Sequence, residues 1–362
     1  MSVTSVSVYQ DKVLYAKGGR LFMWTPSRTS ELAFIDDVRN TVITSVSFND
    51  YFIVVGTIDK DVLVYDLIED YKYKLVGHTD TVKSVACYDH FILSGGLDKN
   101  VILWDTSSYS NESNDLFDET IFEDGTILTE NNTNHSQEVT CVCFAFPYMI
   151  SGSFDKFVIV WKMNDNEYEP KKLKHDKRVS SVSASEDIIV SGCFDNKVYV
   201  WNFDGVLKHT LTGHSQGVTS VSCLDNIIVS GSLDKTIRIW NAATGEYKQS
   251  IYGDTEKVNS VCIYKYDTAI LIASGASDFY VTNLSASNST QYSGTCSICW
   301  ENLEDFNEGD HVVQLFCGHF FHIRCLNNWQ QRQLRNHRPV NCPMCRKVSD
   351  ILFPDGVYRL RF

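Results

Sequence analysis

Residues 213–241 read GHSQGVTSVSCLDNIIVSGSLDKTIRIWN. This stretch decides the fold, because it holds three short runs of alternating β-branched and small or polar residues, separated by turns that contain Asp. Alternation with a period of two is typical of short strands that bury one face. The stretch therefore predicts three consecutive antiparallel strands.

The same pattern recurs through residues 1–290. Seven segments open alike, and they are VTSVSVY, ITSVSFN, VKSVACY, VTCVCFA, VSSVSAS, VTSVSCL and VNSVCIY. Each is followed by a second β-rich run, an Asp turn and a third run that usually ends in an aromatic residue. A short strand-rich unit repeated at a nearly constant period indicates a repeat architecture.

Four polar residues keep a constant register in four of the repeats. A His is followed by Ser, Asp and Trp at successive separations of 16, 4 and 6 residues, in the sets His78/Ser94/Asp98/Trp104, His135/Ser151/Asp155/Trp161, His175/Ser191/Asp195/Trp201 and His214/Ser230/Asp234/Trp240. A buried Trp needs a partner for its indole N–H, and the other three side chains can supply a closed polar chain. A hydrolase needs one such trio with an exposed Ser, so four copies predict structure and not catalysis.

These repeats resemble the WD40 repeat. Its signature dipeptides stand at Gly77-His78, Gly213-His214 and Trp104-Asp105. The resemblance implies a mainly β fold, a seven-bladed WD40 β-propeller with four strands in each blade. The outer repeats depart from the pattern, since Trp24 has no His or Asp partner and Leu284 replaces the seventh Trp.

An acidic insertion at about residues 106–134 lengthens one repeat. It contains seven Asp or Glu residues and no Lys or Arg. Such a composition favours a solvated, mostly disordered loop. The alternative is a docking segment, because LFDETIF (116–122) mixes apolar and acidic residues. The sequence leaves the role of the insertion open.

A large apolar residue precedes the turn Asp in five successive repeats, at Ile58, Leu97, Phe154, Phe194 and Leu233. In WD40 proteins this position tends to face the rim of the central channel, so the resemblance implies an apolar rim that binds a protein or peptide substrate. The alternative is packing of these side chains against neighbouring turns. Lys177 and Arg178 form the only adjacent basic pair in the corresponding loops and are candidate phosphate contacts.

The C-terminal part carries eight cysteines and histidines with the pattern C-x2-C-x17-C-x-H-x2-H-x2-C-x16-C-x2-C. They are Cys296, Cys299, Cys317, His319, His322, Cys325, Cys342 and Cys345. Thiolate and imidazole are the ligands that structural zinc prefers, and close pairs let one turn supply two ligands to one metal. The pattern predicts two tetrahedral Zn²⁺ sites.

The pattern resembles the RING-H2 zinc finger, here within residues 291–348. The resemblance implies a small cross-brace domain with two zinc ions. The first ion would take Cys296, Cys299, His322 and Cys325, and the second Cys317, His319, Cys342 and Cys345. Four protein ligands leave no open position for water, so this zinc is expected to be structural. Because every thiol of the domain would then be a ligand, no cysteine is left as a nucleophile.

Further residues match positions that contact the ubiquitin-conjugating enzyme (E2) in RING-type E3 ubiquitin ligases. Ile298, Trp329 and Pro343 correspond to the apolar E2 groove, and Arg346 corresponds to the linchpin that bonds both E2 and ubiquitin. The resemblance implies an E3 ubiquitin transferase that acts by juxtaposition, without a covalent intermediate on this chain. The alternative is a non-enzymatic propeller–RING scaffold subunit.

The tail, residues 349–362, ends in the alternating stretch VYRLRF, which is typical of a strand. We expect either this tail or the linker after Leu284 to complete the seventh blade. For the tail, the alternative is packing on the RING finger.

Composition excludes several classes of function. A net charge of −13 argues against nucleic-acid binding, which needs concentrated Lys and Arg. No stretch approaches the length of an apolar membrane span, and the N-terminus lacks the features of a secretory signal. The remaining six cysteines lie in strand patterns and are expected to be reduced, so we expect a cytoplasmic or nuclear protein of unassigned oligomeric state.

Overall fold

A computed structural model of the chain gives two compact units, Met1–Tyr264 with Ser274–Ser277, and Lys265–Ala273 with Asp278–Phe362. The residues it describes are 2–10, 12–17, 19–24, 33–37, 41–107, 120–123, 125–128, 135–163, 170–252, 257–267, 269–276, 279–284, 296, 298–299, 312–315, 320–322, 325, 329, 351–352 and 357–359. No helix in these ranges is long and apolar enough to cross a membrane.

Six β-sheets make up most of the first unit, and each begins with one of the repeated segments. The first three contain β1–β4 (Val3–Tyr9, Lys12–Lys17, Arg20–Trp24, Ala33–Asp37), β5–β8 (Ile43–Phe48, Phe52–Thr57, Val62–Asp66, Tyr71–Leu75) and β9–β11 (Val82–Tyr88, Phe91–Gly96, Val101–Asp105) with β13 (Thr126–Ile127). The next three contain β14–β17 (Val139–Ala145, Tyr148–Ser153, Phe157–Lys162, Pro170–Lys174), β18–β21 (Val179–Ala184, Ile189–Cys193, Lys197–Trp201, Leu207–Thr212) and β22–β25 (Val218–Leu224, Ile227–Ser232, Thr236–Asn241, Tyr247–Tyr252). Neighbouring strands within each of these four-stranded blades are antiparallel, as the alternation predicts.

The seventh repeat begins with β26 (Ser260–Tyr266) and β27 (Ala269–Gly275), and residues of both strands are shared between the two units. The backbone N–H of Val3 donates to the carbonyl oxygen of Ala276 at 2.9 Å, and Val6 N–H donates to Ser260 Oγ at 3.2 Å. The first and last repeats are therefore neighbours.

The mainly β propeller fold is confirmed, but the first unit holds six complete blades and not the predicted seven. The seventh repeat is divided between the two units. Its strand β28 (Phe279–Asn283) belongs to the second unit. This repeat also lacks the Trp that closes the polar chain in the regular blades.

Close contact between successive blades depends on a glycine in the second strand of several blades. A Cβ atom on Gly95 would lie 2.5 Å from Cγ1 of Val139 on the next inner strand. Three further glycines have the same relation to the next blade, namely Gly152 to Val179, Gly192 to Val218 and Gly231 to Val258. The repeated Ser-Gly pair thus lets neighbouring sheets pack without a gap.

Serines on five inner strands tie their blades to the next one. Each hydroxyl oxygen accepts a backbone N–H from the following inner strand, in the pairs Ser5–Val46, Ser45–Val85, Ser84–Val142, Ser181–Val221 and Ser220–Val261, at 3.0 to 3.2 Å. The Ser-Val of the opening segments therefore has a structural role.

The described part of the acidic insertion is ordered. Its strand β12 (Thr120–Phe122) pairs in parallel with β8, and β13 pairs with β11. The Phe122 ring packs on Tyr73 at a centroid distance of 5.3 Å. Residues 108–119, 124 and 129–134 lie outside the described residues, so the predictions of a disordered loop and of a docking segment remain open there.

The second unit contains a sheet in the order β28, β32 (Val357–Arg359), β31 (Ile351–Leu352), β29 (Val312–Leu315) and β30 (Phe320–His322). Tyr280 pairs with Arg359, and Leu315 pairs with Ile351. The sequence left open whether the tail pairs with the last blade or packs on the RING finger, and the structure contains both contacts. One of its strands lies beside the last blade strand, and the other lies beside a strand of the C-terminal domain.

Candidate functional site

Three cysteines of the second unit form a cluster that can hold a metal ion. The sulphur atoms of Cys296, Cys299 and Cys325 lie within 4.8 Å of one another. Cys296 is fully buried, and Cys299 and Cys325 are half-buried. Cys299 lies in a turn and Cys325 in a helical segment, so two separate parts of the chain meet here.

The cluster fits zinc in both geometry and chemistry. Zn–S bonds of about 2.3 Å in a tetrahedral site place two sulphurs about 3.8 Å apart, a separation that this cluster allows. Burial, together with the hydrogen bonds to Cys299 and Cys296, raises the pKa of the Cys325 thiol to about 12. Thiolates are thus unfavourable here without a cation, and a bound Zn²⁺ would reverse this preference.

The other predicted zinc ligands are described only in part. His322 ends strand β30, but its side chain is outside the described residues. Cys317, His319, Cys342 and Cys345 lie wholly outside them. The structure therefore brings together three of the four residues predicted for the first ion, and the assignment of the remaining ligands stays a prediction.

Two of the predicted E2-contact residues are described. Ile298 lies in the turn between Cys296 and Cys299, and Trp329 is helical, four residues after Cys325. Both are half-buried, so each is partly accessible to a partner. Pro343 and Arg346 lie outside the described residues.

The propeller contains the polar chain that its sequence register predicts. Trp104 Nε1 donates to Ser94 Oγ at 2.9 Å, and Ser94 Oγ lies 2.9 Å from His78 Nε2. His78 Nδ1 lies 2.9 Å from a carboxylate oxygen of Asp98, which also accepts the N–H of Thr79. The indole N–H of Trp104 can only donate, so the Ser94 hydroxyl accepts from it and donates its own proton to His78 Nε2. The Asp98 carboxylate can only accept, so His78 carries its proton on Nδ1.

The polar chain favours the ionised form of Asp98, and the serines of all four sets are buried. Burial raises the pKa of Asp98, but the hydrogen bond and electrostatic attraction of His78, together with the backbone N–H groups of Thr79 and Asn100, outweigh burial, so this pKa is lowered. The serines Ser94, Ser151, Ser191 and Ser230 are all 0% exposed. No substrate can reach these hydroxyls, so the four trios are structural, as their repetition predicts.

The predicted chain of polar side chains is complete in two of the four repeats. The His214 set has the same hydrogen bonds between Trp, Ser, His and Asp as the His78 set. In the second set, His135 contacts Ser151 at 2.7 Å and Asp155 at 2.8 Å, but Trp161 Nε1 has no hydrogen-bond partner. The expectation of a bonded Trp in every set was wrong here.

In the third set the predicted His–Asp contact is replaced. The Tyr199 hydroxyl donates to Asp195 at 2.5 Å, and His175 Nδ1 turns instead to the carbonyl oxygen of Leu173 at 3.2 Å. Burial lowers the pKa of His175 to about 4, so this imidazole is neutral. Tyr199 stands where the other repeats have Ile102, Ile159 and Arg238, and this difference was the signal in the sequence.

The predicted apolar rim is only partly exposed. Ile58 is 42% exposed, whereas Leu97, Phe154, Phe194 and Leu233 are half-buried. Each donates its backbone N–H to the carbonyl oxygen of a residue that precedes an inner strand, in the pairs Ile58–Val42, Leu97–Thr81, Phe154–Glu138, Phe194–Arg178 and Leu233–Gly217. The five residues therefore occupy equivalent positions at one end of their blades, and their role in substrate binding stays a prediction.

One arrangement at this rim was not predicted. The guanidinium carbon of Arg178 lies 3.8 Å from the centre of the Phe194 ring and 4.7 Å from that of Phe154. From the sequence, Phe154 and Phe194 are predicted to belong to an apolar rim, and Lys177 and Arg178 are predicted separately as phosphate contacts. Arg178 follows His175 by three residues, as Gly217 follows His214. This shared position in the repeat was the sequence signal that Arg178 lies near the rim residues.

Comparison with known families agrees with both parts of the chain. Residues 294–346 match the Ring finger domain family, and residues 70–105, 126–162, 169–202 and 205–241 match the WD domain, G-beta repeat family. The chain is a WD40-repeat β-propeller protein with a C-terminal RING finger, and the RING finger is a zinc-binding domain. The predicted fold class and the predicted zinc are thereby confirmed.

Individual relatives match only short parts of the chain. It is 41% identical to the E3 ubiquitin-protein ligase RFWD3 of Homo sapiens over 66 residues, which are 18% of this chain and 8% of that protein. It is 30% identical to the E3 ubiquitin-protein ligase RING1 of Gossypium hirsutum over 97 residues, covering 27% and 26% of the two chains. The chain thus spans about a quarter or less of the length of these relatives.

Solved structures share the fold of the propeller. The WD40 beta propeller domain of Doa1 superimposes with a TM-score of 0.61 at 21% identity, over 76% of this chain and 90% of that one. The computationally designed Ika8 protein gives a TM-score of 0.59 at 25% identity, over 78% and 83% of the two chains.

Proposed function

We propose that this protein is a RING-type E3 ubiquitin ligase whose propeller binds the substrate. The observation that carries the proposal is the cluster of Cys296, Cys299 and Cys325 inside a segment that matches the Ring finger domain. Relatives that match part of the chain are named E3 ubiquitin-protein ligases. The partners are then an E2, ubiquitin and a protein or peptide substrate.

The zinc ions of this domain would act structurally. The first would be held by Cys296, Cys299, His322 and Cys325, and the second by Cys317, His319, Cys342 and Cys345. When bound, zinc supplies folding energy to a domain too small to bury a sufficient core. No step of ubiquitin transfer passes through the metal.

The chain's own residues would promote transfer by positioning. Ile298, Trp329 and Pro343 form the apolar contact with E2, and Arg346 fixes the E2-bound ubiquitin through its planar fork of donors. Holding a reactive thioester close to a lysine of the substrate raises the effective concentration of the two groups.

Autoubiquitination with a panel of E2 enzymes tests this function. Ile298→Ala and Arg346→Ala should each reduce the rate by at least about tenfold, whereas Ile68→Ala, at an exposed isoleucine of the propeller, should not. Lys347→Ala is the matched control for Arg346→Ala. Activity that is unchanged by both substitutions, or no activity with any E2, would instead favour a scaffold subunit.

We also propose that the protein acts in the cytoplasm or the nucleus, where its propeller cysteines would remain reduced. Burial raises the pKa of Cys87 and Cys141 to about 12, so these thiols are unreactive and behave as small apolar residues. Imaging of a fluorescent fusion of the full chain tests this, and secretion into the medium would contradict it.

A further inference from the structure

The Arg178 guanidinium lies over two aromatic rings from adjacent blades. Phe194 belongs to the blade of Arg178, and Phe154 belongs to the preceding blade. A guanidinium stacked on aromatic rings gains a cation–π attraction, which is strongest for Arg. An aromatic ring attracts the cation without accepting its N–H groups as a carboxylate would, so these contacts leave N–H donors of Arg178 available.

Arg178 is also held through its backbone. Its carbonyl oxygen accepts the N–H of Phe194 at 3.1 Å, and the adjacent carbonyl oxygen of Lys177 accepts from Cys193 Sγ at 3.3 Å. Gly217 lies beside Phe194, and a Cβ atom on this glycine would lie 2.9 Å from the Phe194 ring. The glycine leaves the space that this ring occupies. The charged side chain is thus supported on fixed neighbours before any ligand arrives.

The charge of Arg178 is not neutralised within the described part of the protein. Arg178 is exposed, and no described carboxylate lies within ion-pair distance of it. The acidic residue two positions earlier, Asp176, is bonded to Lys197 at 3.2 Å. The edge of the guanidinium is therefore available to an acceptor from another molecule.

We infer that Arg178, Phe154 and Phe194 form a binding site for an anionic side chain of a protein segment, with an apolar residue beside it. A carboxylate or a phosphate can accept two parallel N–H bonds from the edge of Arg178. The half-buried rings of Phe154 and Phe194 offer apolar surface to the neighbouring residue of the segment. Since the guanidinium is already oriented, binding loses little side-chain entropy. This inference rests on the proposed function, because it names the class of substrate that the propeller would select.

Arrays of immobilised 11-residue peptides test the site on the purified full chain. The central residue is Glu, phosphoserine, Gln or Ser, and the flanking positions carry Leu, Phe or Ala. Wild type should retain the anionic peptides at least about fivefold better than the Gln and Ser peptides, and retention should fall as NaCl rises. Preference for phosphoserine over Glu identifies a phosphate ligand, and equal retention identifies a carboxylate ligand.

Variants separate this site from general electrostatic attraction. Arg178→Gln should abolish the anionic preference, and Phe194→Leu should weaken it severalfold by removing the stack. Lys208→Gln removes the same charge from an exposed residue of strand β21 and should change retention by less than about twofold. Equal retention by Arg178→Gln and wild type, or no anionic preference in wild type, would overturn the inference.

The ligase activity is measured in parallel, as discharge of ubiquitin from loaded E2 to free lysine. Arg178→Gln should leave this rate unchanged, because the site is on the propeller. Anionic preference without discharge would refute the proposed ligase and keep the binding site, and discharge without anionic preference would refute the binding site alone.

Discussion

Trp104 donates its indole N–H to Ser94 Oγ at 2.9 Å, and this bond joins the core of its blade to the His78–Asp98 pair above it. Trp161 occupies the same register in the next blade, but its indole N–H has no partner. The polar side chains of the two blades therefore differ in the hydrogen bond of the buried Trp.

This difference predicts unequal costs for the same substitution. Ser94→Ala leaves both Trp104 Nε1 and His78 Nε2 unpaired and should lower the free energy of unfolding by about 2–3 kcal/mol. Ser151→Ala is the matched control, since Ser151 bonds only His135, and it should cost about 1 kcal/mol less. Urea unfolding measures both values. Equal losses would show that the Trp104 bond adds no stability.

Acid should destabilise the propeller in a defined pH range. Burial lowers the pKa of His175 to about 4 and also lowers the pKa of His214. Between pH 6.5 and 4 the unfolded chain binds protons at these positions that the folded chain does not, so stability falls as pH falls. His175 alone contributes about 3 kcal/mol of this loss by pH 4.

A pH series of unfolding midpoints checks the contribution of His175. His175→Gln should flatten the decline between pH 6.5 and 4, whatever its effect at neutral pH. His209→Gln should leave the decline intact, because His209 bonds the carbonyl oxygen of Ala243 near the surface. A decline that is as steep in His175→Gln as in wild type would assign the acid sensitivity to other groups.

The tail strand β32 should protect the last blade strand. Deleting residues 357–362 removes the partner of Tyr280–Thr282 and should speed amide hydrogen exchange there by at least about tenfold. Deleting only 360–362 leaves the strand and is the control. Unchanged exchange after the longer deletion would mean that β32 does not hold β28 in solution.

Zinc content distinguishes ligand cysteines from structural ones. The full chain should contain about two zinc ions, and Cys296→Ser should lose at least one of them. Cys262→Ser is the matched control, since Ser222 occupies the equivalent position in the preceding repeat. Mass spectrometry of the metal content measures this. Two ions retained by Cys296→Ser would remove Cys296 from the ligand set.

Much of this architecture follows from short-range patterns. Alternation and constant spacing predict the strands, and the resemblance to the RING-H2 finger implies that Cys296, Cys299 and Cys325 share one zinc ion. The sequence predicted His175 as the partner of Asp195, but the structure has Tyr199 in this role. The choice depends on which of the two buried side chains reaches the carboxylate, and the spacing of residues does not specify it. Nor did the sequence reveal the Arg178 stack, which joins residues 24 positions apart across two blades.

The insertion and the tail were hard to place for a different reason. Strands β12 and β31 are only three and two residues long, and their pairing partners, β8 and β29, are distant in the chain. Short segments of this kind are specified by available sheet edges and not by their own alternation.

Single-turnover discharge of ubiquitin from a loaded E2 to free lysine tests the central claim most directly, because it isolates the RING from substrate binding. The account predicts that the full chain accelerates discharge, that Ile298→Ala slows it by at least about tenfold, and that Ile68→Ala does not. Discharge at the same rate with and without the chain, for every E2 in the panel and with both zinc ions bound, would contradict it.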